Sequence, residues 1–211
     1  MKEKKIKVVI EYFLKLMLNV LPVIFWLCLI YSFDNTTVAN LTILTMIIHE
    51  AGHIACVFFF TGEILLPRGD FSGLKLLKNN MPTYLQQFFL YASGVLSNLF
   101  AVILTLAFPF SQTRFGELFI AINIATAFSN LLPIDGYDGY RITLLTIEYF
   151  NLGTVGYAFL EIISFAFVFA MSIVSLFLVY TLGNGYWIMG IFLGATITKL
   201  QKWQKHENSR F

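Results

Sequence analysis

Residues 41–60 read LTILTMIIHEAGHIACVFFF, and how His49-Glu50-Ala51-Gly52-His53 is read within that run decides the kind of protein this is. A helix rises 1.5 Å per residue, so the run is long enough to cross the roughly 30 Å hydrocarbon core of a bilayer. Helical HExxH spacing puts the two imidazoles on one face, about 6 Å apart along the axis, where one Zn²⁺ can take both. Glu50, between them, is placed to deprotonate a metal-activated water. Charged groups in hydrocarbon cost roughly 2.5 to 3.5 kcal/mol each on insertion scales. Two His and a Glu in one span therefore need a compensating partner, and a metal ion supplies one. In a soluble chain the same string is often an accident of a surface helix.

The rest of the composition agrees with a membrane setting. Of 211 residues, 58% are hydrophobic and only 12% charged, and the mean hydropathy is +0.75. This is not the profile of a soluble globular protein. Hydropathy predicts six spans, at about 13–33, 41–60, 88–110, 117–134, 157–182 and 186–200. The expected fold is an all-α polytopic membrane protein, with one membrane domain filling residues 1–211. The apolar run after the basic head Met1–Lys7 is too long for a signal peptide and lacks a small-residue cleavage site, so it is expected to stay as the first span.

Lys and Arg set the expected orientation. With a cytoplasmic N-terminus, six spans place the basic head, Arg68, Lys75, Lys78, Arg141 and the tail Lys199, Lys202, Lys205 and Arg210 inside. Arg114 alone is left outside, as the positive-inside rule requires. Both termini are thus expected in the cytoplasm. The net charge of +2 reflects this topology and not nucleic-acid binding. Phe-, Ile- and Lys-rich usage points to an AT-rich bacterial genome, hence to a bacterial cell membrane. Cys28 and Cys56 fall inside predicted spans, which argues against a disulfide. Cys56 shares the helical face of His49 and is expected to pack as a small apolar group, with thiolate ligation as the alternative. The Asn35 and Asn40 sequons lie in the short outer loop and matter only in a secretory pathway.

The third ligand must come from elsewhere. The chain has three His, and the third, His206, lies in a polar tail. A second metal site would need more of them, so a carboxylate is expected to complete a His₂-carboxylate set with one position open. Most acidic residues sit near termini or in loops, which leaves Asp135, Asp138 and Glu161. Both Asp residues lie in Asn130-Leu131-Leu132-Pro133-Ile134-Asp135-Gly136-Tyr137-Asp138-Gly139, where a span breaks at Pro and Gly. Such backbone is tolerated at membrane depth where it lines a protein cavity; it is also ordinary turn chemistry. Glu161, about a turn inside the fifth span, is a functional candidate by its location, or a carboxylate facing water or a basic partner.

With HExxH on one span and Asn130, Pro133, Asp138 and Gly139 spaced as N-x-x-P-x-x-x-x-D-G on a later one, the chain resembles the site-2 protease family of intramembrane zinc metalloproteases. The resemblance covers about residues 41–142. It implies Asp138, not Asp135, as third ligand beside His49 and His53, with one Zn²⁺ per chain and Glu50 as general base. A family element of the form G-P-x-x-N appears as Gly94-Val95-Leu96-Ser97-Asn98, with Val95 in place of Pro. Tyr137 stands where the family usually has Leu. The resemblance also implies that Gly62 to Lys78 forms short membrane-associated strands; local pattern alone gives a loop with strand-like pieces. The layout, a minimal core with two added C-terminal spans at about 157–200, is similar to the six-span sporulation protease that processes a pro-sigma factor.

The expectation is a zinc endopeptidase acting on a membrane-embedded or membrane-associated protein or peptide, near the cytoplasmic side of the bilayer. Asn98 and Asn130 are candidate oxyanion or substrate contacts. A regulatory membrane partner and the substrate itself are left open. The alternative is a non-enzymatic metal-binding transporter or sensor, which has no need of the Glu within HExxH. A soluble-type zincin tethered by spans is disfavoured because the HExxH lies in a span.

Overall fold

The structure, a computed structural model, describes residues 36–62, 68–70, 73–75, 83–182 and 196. Five α-helices carry the described chain: α1 (Thr36–Thr61), α2 (Tyr84–Leu106), α3 (Arg114–Leu131), α4 (Asp138–Tyr149) and α5 (Gly153–Leu182). Between α1 and α2 lie two three-residue strands, β1 (Arg68–Asp70) and β2 (Gly73–Lys75). They pair antiparallel with Arg68 opposite Lys75 and Asp70 opposite Gly73.

Among the described residues, three helices are long and apolar enough to cross a membrane: Thr37–Thr61, Tyr84–Leu106 and Gly153–Thr181. Their surfaces invert the soluble pattern. Phe59, Phe100 and Tyr180 are 81%, 61% and 89% exposed, while Thr45, Asn98, Asn123 and Ser164 are each 0% exposed. Such an aromatic exterior suits a lipid surround, and the polar groups turn inward to find hydrogen bonds. This is a multi-pass membrane protein. The expected spans at 13–33 and 186–200 lie outside the described residues, and the six-span count rests on them.

Local chemistry sets the helix boundaries. Thr83 starts α2 through a capping box: its hydroxyl accepts from the Gln86 N–H at 3.3 Å while the Gln86 side chain accepts from the Thr83 N–H. Thr113 caps α3 by accepting from the Gly116 N–H at 3.1 Å. Helix α3 stops at Leu131, three residues before the expected end at 134. The cause is Pro133, whose ring excludes the helical region for the residue before it, and Leu132 is extended at φ −65°, ψ 140°. The chain then turns tightly, with Ile134 N–H donating to Leu132 O and Tyr137 N–H to Ile134 O. Gly136 takes φ 101°, a conformation other residues resist.

Helix α4 was not anticipated, because its 12 residues are too short and too polar to register as a span. Its start is wedged against the end of α3: a β-carbon on Gly139 would overlap the Leu131 carbonyl. Its far end reaches the start of α2, where the Tyr149 and Tyr84 rings meet edge-on at 5.7 Å. Asn151 (φ 54°) and Gly153 (φ 59°) then reverse the chain into α5. Helix α2 is the hub, packing on α1, α3 and α4, while α5 packs on α4. Val168 of α5 covers Ile134 with Leu132, Tyr137 and Met171 around it, and Ser164 accepts from the Asp135 N–H at 3.1 Å. Helix α5 thereby braces the Pro133–Tyr137 turn that delivers Asp138.

Candidate metal centre

His49 and His53 sit one turn apart on α1, each 6% exposed, and face α2. Helices α1 and α2 approach closely because Gly52 offers no side chain; a β-carbon there would lie 2.5 Å from the Ser93 carbonyl oxygen. Gly94 clears the space in front of the imidazoles, since its β-carbon would lie 2.5 Å from His53 Nε2 and 2.7 Å from His49 Nε2. Asp138, the first residue of α4, enters that space from the other side. His49 Nε2, His53 Nε2 and Asp138 Oδ2 form a nearly regular triangle with edges of 3.2, 3.1 and 3.3 Å.

The hydrogen bonds behind the triangle determine what it can hold. His49 Nδ1 lies 2.8 Å from Asn98 Oδ1, and His53 Nδ1 lies 2.7 Å from the Leu90 carbonyl oxygen. Both partners accept, so both Nδ1 atoms carry the proton and donate. In the neutral rings each Nε2 is then a bare lone pair aimed at Asp138. Asp138 Oδ2 is buried with no hydrogen-bond donor among the described residues. Its contacts with the imidazoles are ion pairs only when the rings are protonated; with the rings neutral, the form that ligates a metal, the three atoms are converging acceptors. A cation at their centre resolves the repulsion. Tetrahedral Zn²⁺ with ligand distances of about 2.0 to 2.1 Å requires ligand–ligand edges of about 3.3 to 3.4 Å, which the triangle nearly matches. His49, His53 and Asp138 are also the one group of metal-ligating side chains found together among the described residues.

Glu50 is half-buried beside the triangle, close enough to interact electrostatically with His49, His53 and Asp138. Asp135 is exposed and outside the cluster. Cys56 packs against Val57 and Leu90, as expected of a small apolar group. Glu161 accepts a 2.5 Å hydrogen bond from Tyr140. Burial and the Glu161 carboxylate push the Tyr140 phenol well above its usual pKa, which keeps it a donor. Asn130 is half-buried and donates to the Thr126 carbonyl at 3.0 Å.

Asn98 differs from its expected role as an oxyanion or substrate contact. It is 0% exposed; its oxygen faces His49, and its amide nitrogen donates to Thr45 O at 3.2 Å and Asn123 Oδ1 at 2.9 Å. No N–H of that amide is left for a substrate. Its partners Thr45 and Asn123 were not among the expected site residues, because neither lies in the motifs that single out Asn98 and Asn130. An Asn within the apolar stretch Leu118–Phe128 was a signal of the same kind as Glu161. Hydrogen bonds between membrane helices average only about 0.6 kcal/mol, so this network matters more for orientation than for stability.

Fold and site together define a multi-pass membrane protein with a buried His-His-Asp cluster able to coordinate a metal ion. No protein-family model and no curated protein matches the chain.

Proposed function

We propose that this protein is a zinc-dependent intramembrane endopeptidase of the site-2 protease type. The observation that carries the reading is the triangle of His49 Nε2, His53 Nε2 and Asp138 Oδ2, with the Glu50 carboxylate beside it. A site that only bound or passed a metal would need the three ligands and not the adjacent carboxylate.

His49, His53 and Asp138 would hold the ion. Zinc bound there would supply Lewis acidity toward a peptide carbonyl and a water made nucleophilic near neutral pH. Glu50 accepts a proton from the attacking water as the new C–O bond forms, and delivers one to the leaving amine nitrogen as the C–N bond breaks. Asn98 and the Leu90 carbonyl hold the imidazoles with their Nε2 atoms turned to the ion. Asn130, at the end of α3, is the proposed substrate-backbone contact. The substrate is a membrane-embedded or membrane-associated protein or peptide, reached from the cytoplasmic side of a bacterial cell membrane. A helical substrate must unwind locally, because its carbonyls are otherwise held in i to i−4 bonds.

The test is to compare chain termini, by mass spectrometry of membrane fractions, in cells making the wild-type protein or Asp138→Asn. New termini within or beside membrane segments, seen with the wild type alone, support the reading. Identical termini in both overturn it.

A further inference from the structure

We infer that Asn123, on α3 and with its hydrogen bonds to Asn98, Thr45 and Phe119 and not to an imidazole, is a positioning residue that sets the direction of His49 toward the metal through a polar relay across three helices. The inference rests on the metal reading above and extends it to a residue outside the ligand set and its immediate partners.

An asparagine amide can be turned either way, and only its neighbours decide which end faces where. The Phe119 carbonyl, 2.9 Å from Asn123 Nδ2, can only accept, so the Asn123 NH₂ faces it and Asn123 Oδ1 faces Asn98. That oxygen and the Thr45 carbonyl are both acceptors, and they draw the Asn98 NH₂ toward themselves at 2.9 and 3.2 Å. Asn98 Oδ1 is therefore left facing His49 Nδ1 at 2.8 Å. The proton sits on Nδ1, and the Nε2 lone pair points at the metal position. Each link is a donor-to-acceptor step with one allowed sense, anchored on backbone carbonyls that cannot reverse. Both amides are fully buried, so water does not compete. Thr45 Oγ1, 3.2 Å from Asn123 Nδ2, steadies that amide without deciding its sense, because a hydroxyl serves either way. His53 lies outside the relay, held directly by the Leu90 carbonyl.

Removing Asn123 leaves Asn98 with the Thr45 carbonyl alone to define its sense, so its amide loses part of its bias and His49 loses part of its orientation. The measurement is cobalt(II) titration of the purified, metal-free protein, followed by the absorption of bound cobalt, with thermal melting recorded separately. Asn98→Leu should weaken binding by about 10- to 100-fold, the usual effect of losing a group that orients a ligand. Asn123→Leu should weaken it in the same direction but less, and Thr45→Val least. Because Asn123 acts only through Asn98, Asn123→Leu should cost nothing further in the Asn98→Leu background. A merely structural residue would instead shift melting and leave cobalt affinity unchanged. Asn123→Ser serves if the Leu variant does not fold, with the same expected direction. Wild-type affinity in the Asn123 variants, or an undiminished second loss in the double variant, overturns the relay alone. A wild-type protein that takes up no cobalt overturns the metal reading and the relay with it.

Discussion

Asp138 Oδ2 stands 3.1 Å from His49 Nε2, although the two residues belong to helices far apart in the chain. The contact exists because Pro133 ends α3 early and Gly139 lets α4 begin hard against it. Asp138→Asn removes the anionic ligand while keeping the shape. Zinc per purified chain, measured by emission spectroscopy, should collapse in this variant, since one of three protein ligands is lost. Asp135→Asn and Cys56→Ala should retain the metal. If Asp135→Asn loses zinc and Asp138→Asn keeps it, the ligand has been misassigned.

Gly94 and Gly139 make different demands, and alanine at each separates them. At Gly94 the added methyl meets the imidazole edges 2.5 to 2.7 Å away and no backbone, so the rings must give up their Nδ1 hydrogen bonds to make room. The fold should survive Gly94→Ala while zinc is lost. At Gly139 the methyl meets the Leu131 backbone, so α4 itself must shift. Gly139→Ala should lower stability by about 1 to 3 kcal/mol, the usual cost of overpacking. Equal zinc retention in Gly94→Ala and the wild type would show that the ion does not sit in front of that glycine.

How much of this was legible beforehand divides along physical lines. His49, Glu50 and His53 lie within one turn, so helical periodicity alone brings them together. Asp138 was one of three acidic candidates by residue chemistry, and only the N-x-x-P-x-x-x-x-D-G register singled it out. Asn123 and Thr45 reach the site through contacts between helices, which no local pattern encodes. Helix α4 escaped because a scan for bilayer-length apolar runs passes over 12 residues that include Asp138, Arg141 and Glu148.

The orientation can be checked at Thr154 and Gln112. Thr154 lies just past the α4–α5 reversal, and Tyr149 of α4 meets Tyr84 at the start of α2. Gln112 lies beyond the opposite end of α2, just before α3. Thr154→Cys and Gln112→Cys should therefore label from opposite sides with a membrane-impermeant reagent, with Thr154→Cys reached from the cytoplasm. Labelling of both from outside would contradict the Lys/Arg-derived orientation and the cytoplasmic-side site.

The Tyr140–Glu161 hydrogen bond ties α4 to α5. Because α5 also covers the turn before Asp138, Tyr140→Phe should loosen the site modestly without abolishing zinc binding. A hydrogen bond to a charged group contributes about 1.5 to 3 kcal/mol. Thermal melting should fall while zinc stoichiometry stays near that of the wild type. Loss of the metal in Tyr140→Phe would mean that the pair acts on the centre itself.

The most direct measurement of the central claim pairs metal content with proteolysis in Glu50→Gln. Glu50 is assigned the proton transfers and no share in ligation, so the account predicts zinc bound as in the wild type. It also predicts that the membrane-segment cleavage made by the wild-type protein falls by several orders of magnitude, because the carboxylate and the positioned water act together. Near-normal cleavage by a zinc-loaded Glu50→Gln protein would contradict the account.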